Sequence, residues 1–129
     1  MKHYFSNMIA NIKNGQMARK SFILQKQKKI CKSFLNILWD EGYILGYKNC
    51  QNNFNMIKIF LKYNQEGKPV INFLKLISKP GQRINYSTKQ IWKINSNKIF
   101  IIFTTNQGLL SIIDCKKLKI GGEPLVVIN

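Results

Sequence analysis

The chain has 129 residues and a formal charge of +16, and its only acidic residues are Asp40, Glu41, Glu66, Asp114 and Glu123. With a single histidine, His3, and with Asp40 and Glu41 adjacent on one predicted helix and pointing apart, no acid–base pair or nucleophile–base–orienter set can be assembled from spacing; no P-loop or dinucleotide fingerprint occurs either. Self-repulsion at this imbalance disfavours a compact state unless a polyanion offsets it, which points to nucleic acid.

Tyr4, Met8, Ile9 and Ile12 recur at helical spacing and predict a first helix over 1–14, with Gly15 as its stop. A short strand is expected at 21–25. A second helix follows over 26–41, with Ile30, Phe34, Ile37, Leu38 and Glu41 in period and Gly42 at its end. Residues 43–50 read as a strand. Residues 56–63 alternate, with Ile57, Ile59, Leu61 and Tyr63 on one side and Lys58, Phe60 and Lys62 on the other. A hairpin loop at 64–69 then predicts a returning partner strand over 70–78. Ser78-Lys79-Pro80-Gly81 punctuates the chain and marks the expected domain boundary. Beyond it come a strand near 82–86, a helical turn near 88–91, a buried-looking strand at 99–103, a short helix capped by Ser111 and Asp114, and a last strand at 124–128. The expected class is α+β: an α/β N-terminal half over 1–78 in the order α-β-α-β-β-β, and a mostly β C-terminal half over 79–129 with one short helix.

Three segments suit a polar polymer. The first is Thr104-Thr105-Asn106-Gln107-Gly108, whose hydroxyls and amides can reach ribose and base edges in a wide RNA minor groove; on pattern alone it is also an ordinary hairpin turn. The second runs from Lys79 to Tyr86, where Lys79 and Arg83 flank a Pro-Gly bend. It reads equally as a linker. The third is the first helix with Asn7, Asn11, Lys13, Asn14, Gln16 and Lys20, a face that is either solvated or turned to RNA. Gly122 and Glu123 form a second glycine corner, with Glu123 either accepting from a base amino group or making a local bond. Trp39 is expected in the core; Trp92 is undecided.

Cys31, Cys50 and Cys115 have no zinc-like spacing and are expected to be reduced and core or half-buried, with no metal or cofactor. No run approaches the length of a membrane helix, and no charged-then-apolar leader is read at the start. All basic residues but Arg19 and Arg83 are lysine, while Asn, Ile and Phe abound. Phosphate contacts favour Arg at least as well, so an AT-rich coding genome is the simpler cause.

In this order and spacing the pieces resemble the universal S-eight family of small-subunit ribosomal proteins along the entire chain. The resemblance rests on Thr104-Thr105, Gly108, Leu109-Leu110, Ser111 to Leu118 and Gly121-Gly122-Glu123, with no gap needed. It is supported by Asn7 to Gln16, Glu41-Gly42-Tyr43-Ile44, Leu61-Lys62-Tyr63 and Ser78 to Arg83. It implies a non-catalytic primary binder of the central domain of small-subunit rRNA that organises the platform beside neighbouring ribosomal proteins, with no membrane or small-molecule partner. Its main RNA contacts would lie in the C-terminal half, at Thr104, Thr105, Asn106, Gly108, Gly122 and Glu123. Bacterial-type members can also repress their own message, so an mRNA repressor or a general RNA chaperone is the alternative.

The chain departs from the family pattern at several places. Gln107 stands where the family usually has lysine. The family's tyrosine after the hinge aligns with Asn85, and Tyr86 comes one place later, a shift that would flip the ring to the other face of a strand. Pro124 opens the last strand, where it forfeits a ladder donor unless it lies at an edge. These drifts and the AT bias point to an organelle-encoded protein of a mitochondrial ribosome, in preference to a plastid or bacterial one.

Overall fold

In a computed structural model, which describes residues 2–50, 55–77, 84–95 and 99–129, the opening apolar spacing becomes α1 (Lys2–Met17), burying Phe5, Met8, Ile9 and Ile12. Gly15 does not stop this helix. A Cβ there would stand 2.5 Å from Ile23 Cγ2, so the glycine lets α1 lie close against the strand that follows. The helix runs two residues past Gly15 to Met17, and the chain turns away at Arg19, where φ is 56° and the Lys20 N–H returns to the Gly15 carbonyl at 2.9 Å.

The chain divides into two compact units, Met1–Ile71 and Asn72–Asn129. In the first, β1 (Phe22–Lys26), α2 (Lys29–Asp40), β2 (Ile44–Asn49) and β3 (Met56–Leu61) follow α1. The three strands form an antiparallel sheet in the order β1-β3-β2. Alternation works as expected: Ile57, Ile59 and Leu61 of β3 and Ile23 of β1 are buried, on the side where the helices pack. The Phe5 and Phe34 rings meet edge-on with centroids 4.9 Å apart.

The inward stripe of α2 is Cys31, Phe34, Leu35 and Leu38, while Ile30 and Ile37 are half-buried and Glu41 is exposed. Two stripes of helical period share Phe34 and Leu38, and packing against α1 and β2 selects between them. Trp39 is not core. It is 48% exposed and meets Tyr47 edge-on, because the selected stripe turns it to the helix flank.

The second unit contains β4 (Leu74–Leu76), α3 (Thr88–Trp92), β5 (Phe100–Thr105), β6 (Gly108–Ser111), α4 (Ile112–Leu118) and β7 (Glu123–Ile128). Its antiparallel sheet runs β4-β7-β5-β6. The returning strand expected after the 64–69 loop therefore pairs elsewhere. Local turn chemistry closes the hairpin mouth: the Asn64 Oδ1 accepts from the Glu66 and Lys68 N–H groups, and Tyr63 bridges Pro69. The chain then leaves β3, and Leu74–Leu76 pairs with Val126–Ile128 of β7.

Pro124 lies in an interior strand, not at an edge. It pairs with Phe103 beside a register shift at Ile102/Phe103, and the β4 pairs lie at Val126–Ile128. A strand's first residues next to a bulge tolerate the missing donor. Both α3 and α4 start on serine caps. Ser87 Oγ accepts from the Gln90 N–H, with Gln90 reciprocating, and Ser111 Oγ accepts from the Asp114 N–H at 3.2 Å.

Cys31, Cys50 and Cys115 are free thiols, the first and last buried. Burial, with the Asp114 charge second, pushes the Cys115 thiol up to about 11 from an ordinary 9.0. The unfolded chain therefore releases this proton first. The stabilisation is complete below pH 9 and is lost as pH rises towards 11. Melting curves at pH 7, 9 and 10.5 are expected to show this decline, and Cys115→Ala to lessen it, with the buried Cys31 thiol, also raised by burial, keeping a part.

Candidate nucleic-acid interface

Three backbone segments of the second unit converge on one spot. Tyr86 and Gly122 form an isolated antiparallel bridge, with the Tyr86 N–H donating to the Gly122 carbonyl at 2.7 Å and the Gly122 N–H returning to the Tyr86 carbonyl at 3.0 Å. On the other flank Glu123 of β7 pairs with Thr104 of β5. The double glycine makes this approach possible. A Cβ on Gly121 would sit 2.5 Å from the Tyr86 carbonyl oxygen, and one on Gly122 would sit 2.7 Å from the Thr104 oxygen and 2.9 Å from Thr105 Cγ2.

The convergence leaves an open polar cleft of about 420 Å³ lined by Asn85, Tyr86, Thr104, Thr105, Asn106, Gly121, Gly122 and Glu123. Amides, hydroxyls, a carboxylate and exposed backbone line it, with one aromatic ring. The Tyr86 ring is half-buried and tilted against the wholly buried Phe103, centroids 6.1 Å apart, which fixes its direction. Such a surface offers donors and acceptors without long side chains, which is what close contact with a sugar–base edge requires.

The β5–β6 turn is held from within. Thr105 Oγ1 donates to the Gly108 carbonyl at 2.9 Å and accepts from the Gln107 N–H at 3.1 Å. Its proton is committed to the turn, so a ligand meets this hydroxyl only as an acceptor. Thr105→Val is therefore expected to destabilise the protein by about 1–2 kcal/mol with no RNA present, read by thermal melting. Gly108 has φ +97° with open space around it: here conformation, not crowding, demands glycine. Asn106, Gln107 and Gly108 are exposed at the tip.

The sequence-predicted residues divide cleanly. Thr104, Thr105, Asn106, Gly122, Glu123 and Tyr86 share the cleft, with Gln107 and Gly108 on the turn that bounds it. Asn85 and Gly121 were not singled out as site residues, yet both line it; the signal for Gly121 was the doubled glycine. A one-residue shift at Asn85/Tyr86 does not empty the position, since both neighbours reach the same cleft. Lys79 and Arg83 lie outside the described residues. In the first unit, Asn11 pins α1 to β1, its Nδ2 donating to the Leu24 carbonyl at 2.7 Å and to Gln25 Oε1 at 3.0 Å. Lys13 and Asn14 are exposed on α1, whereas Gln16 is buried with its Nε2 unpartnered.

Among the described residues no helix is long and apolar enough to cross a membrane, and no group of three His, Cys, Asp or Glu is placed to hold a metal ion. The sequence matches the profile of the family described as Ribosomal protein S8 over residues 3–128. It is similar to small ribosomal subunit protein uS8 of Blochmanniella pennsylvanica, with 30% identity over 129 residues that cover 100% of this chain and 98% of that protein. The uS8 protein of Wigglesworthia glossinidia brevipalpis is 36% identical over 123 residues, 95% of this chain and 94% of the relative. That of Alcanivorax borkumensis is 35% identical over an equal span. Matched from end to end by that profile and by these bacterial relatives, the chain belongs to the ribosomal protein S8 family of the small ribosomal subunit.

Proposed function

We propose that this protein binds the central domain of small-subunit rRNA and organises the platform during assembly, without catalysing a reaction. The observation that carries the proposal is the convergence of Tyr86, Gly121-Gly122 and Thr104-Thr105 into one polar cleft on a chain of charge +16. Thr104, Thr105, Asn106, Gly122 and Glu123 meet the sugar–base edge of a distorted RNA minor groove, with Gln107 and Gly108 along its rim. Tyr86 stacks on a sugar or base, and Lys79 and Arg83 take phosphates. This assigns the primary contact to the half over 79–129. Lys13 and Asn14 on α1, beside the structurally engaged Asn11, form a separate and weaker contact.

Filter binding tests this reading. A central-domain rRNA helix should bind saturably and far more tightly than a scrambled duplex of equal length; equal affinity overturns a specific site. If about five phosphates are neutralised, log K should fall with log salt at a slope of about −3.5 to −4.5. Co-sedimentation with the small subunit is expected. Residence only in light fractions would favour a messenger-binding repressor or chaperone instead.

The particle in question is assigned from composition. Lysine in place of arginine and an excess of Asn and Ile favour an organelle-encoded chain in a mitochondrial small subunit, although the named relatives are bacterial and a bacterial cytoplasmic ribosome fits them equally. Peptide mass spectrometry of purified mitochondrial small subunits decides between the two.

A further inference from the structure

The helices of the first unit cover one face of its sheet, and the opposite face carries a different chemistry. Phe22 of β1 stands directly opposite Phe60 of β3, with ring centroids 6.3 Å apart. One step along, Leu24 stands opposite Lys58, and Lys48 of β2 stands opposite Lys58 on its other side. Phe22 is 39% and Leu24 48% exposed. Lys58 Nζ lies 4.4 Å from the Phe22 ring centre and Lys48 Nζ 5.7 Å from that of Phe60. No acidic residue falls on any of the three strands. A groove of about 590 Å³, lined by Asn11, Lys20, Ser21 and Phe22–Leu24, runs along the outer edge of β1.

We propose that this open sheet face is a second RNA contact, which takes an unpaired segment by stacking bases on Phe22 and Phe60 and phosphates on Lys48 and Lys58. An exposed ring, Phe22, beside the half-buried Phe60 on the adjacent strand gives a stacking platform that any base can use. The two ammonium groups already sit over the rings, so a base that takes a ring face releases each lysine towards the flanking phosphate. The edge groove, with Lys20 at its rim, carries the strand on past Phe22. Charge selects this occupant over a protein. Burying Lys48 and Lys58 under an apolar partner would desolvate two cations with no carboxylate on their own strands to offset them, whereas a polyanion gains by releasing counterions.

This inference stands apart from the cleft in the second unit, and its test separates the two. The full chain is titrated with single-stranded oligouridylate and, independently, with the central-domain rRNA helix. Phe22→Ala is expected to weaken oligouridylate about five-fold or more and to leave the rRNA helix unaffected, whereas Thr104→Val does the reverse. Lys58→Gln should make the oligouridylate salt slope shallower by about 0.7. Photo-crosslinking with 4-thiouridine should place the label on peptides containing Phe22 or Phe60. Unchanged oligouridylate affinity in both Phe22→Ala and Lys58→Gln overturns the proposal. So does normal oligouridylate binding combined with lost incorporation into the small subunit, which would assign the face to a protein neighbour.

Discussion

Gly122→Ala is expected to lose about 2 kcal/mol of stability and to weaken the rRNA helix about ten-fold or more. The new Cβ would stand 2.7 Å from the Thr104 carbonyl oxygen and 2.9 Å from Thr105 Cγ2. The first neighbour is backbone of the Thr104–Glu123 pair that closes the β5–β7 ladder, so it cannot swing aside as a side chain could. β5 and β7 must separate at their ends, and the Tyr86 bridge opens with them. Gly108→Ala supplies the contrast. Nothing stands within 4 Å of its new methyl group, so only the unfavourable φ of +97° is paid in strain, about 1 kcal/mol. Differential scanning calorimetry and filter binding on both variants test the distinction. A Gly122→Ala protein with wild-type melting and wild-type affinity would refute the steric account of the double glycine.

Phe103→Ala should have the largest effect on folding. The ring is fully buried and supports Tyr86 from beneath. Truncating a buried phenylalanine typically removes about 3–5 kcal/mol, against a total of about 5–15 kcal/mol for an ordinary domain. Protection of β5 and β7 amides from hydrogen exchange is expected to collapse, and binding of the rRNA helix to disappear with it. An unchanged denaturation midpoint would show that the ring is not part of the core that holds the cleft.

Features set by near neighbours were legible in the sequence. The alternation of Met56 to Leu61, the serine cap at Ser111 and the polar turn after β5 all follow from residues within a few positions of one another. Features set by distant partners were not. The strand at Leu74–Leu76 has a pattern that suits either β3 or β7, and the choice depends on Val126–Ile128, some fifty positions on. The two possible stripes of α2 differ by a small rotation that only α1 and β2 resolve.

The candidate site shows the same division. Thr104, Thr105 and Gly122 were recognisable as a motif, but the reason for the doubled glycine lies in its packing: Gly121 admits the backbone of Tyr86 and Ser87, and Gly122 that of Thr104. Asn11 has the composition of a surface contact, yet its amide nitrogen serves the Leu24 carbonyl and Gln25. No pattern along the helix announces a partner thirteen residues away.

The placement of β7 between β4 and β5 bears on how the chain is made. Translation delivers β4 and β5 before the strand that joins them. The nascent second unit therefore holds two edges with no common neighbour until Glu123–Ile128 clears the exit tunnel. The first unit waits in the same way, since β3 lies between the earlier β1 and β2, but its joining strand Met56–Leu61 is made well before Glu123–Ile128, so the two halves of one polypeptide would mature on different clocks.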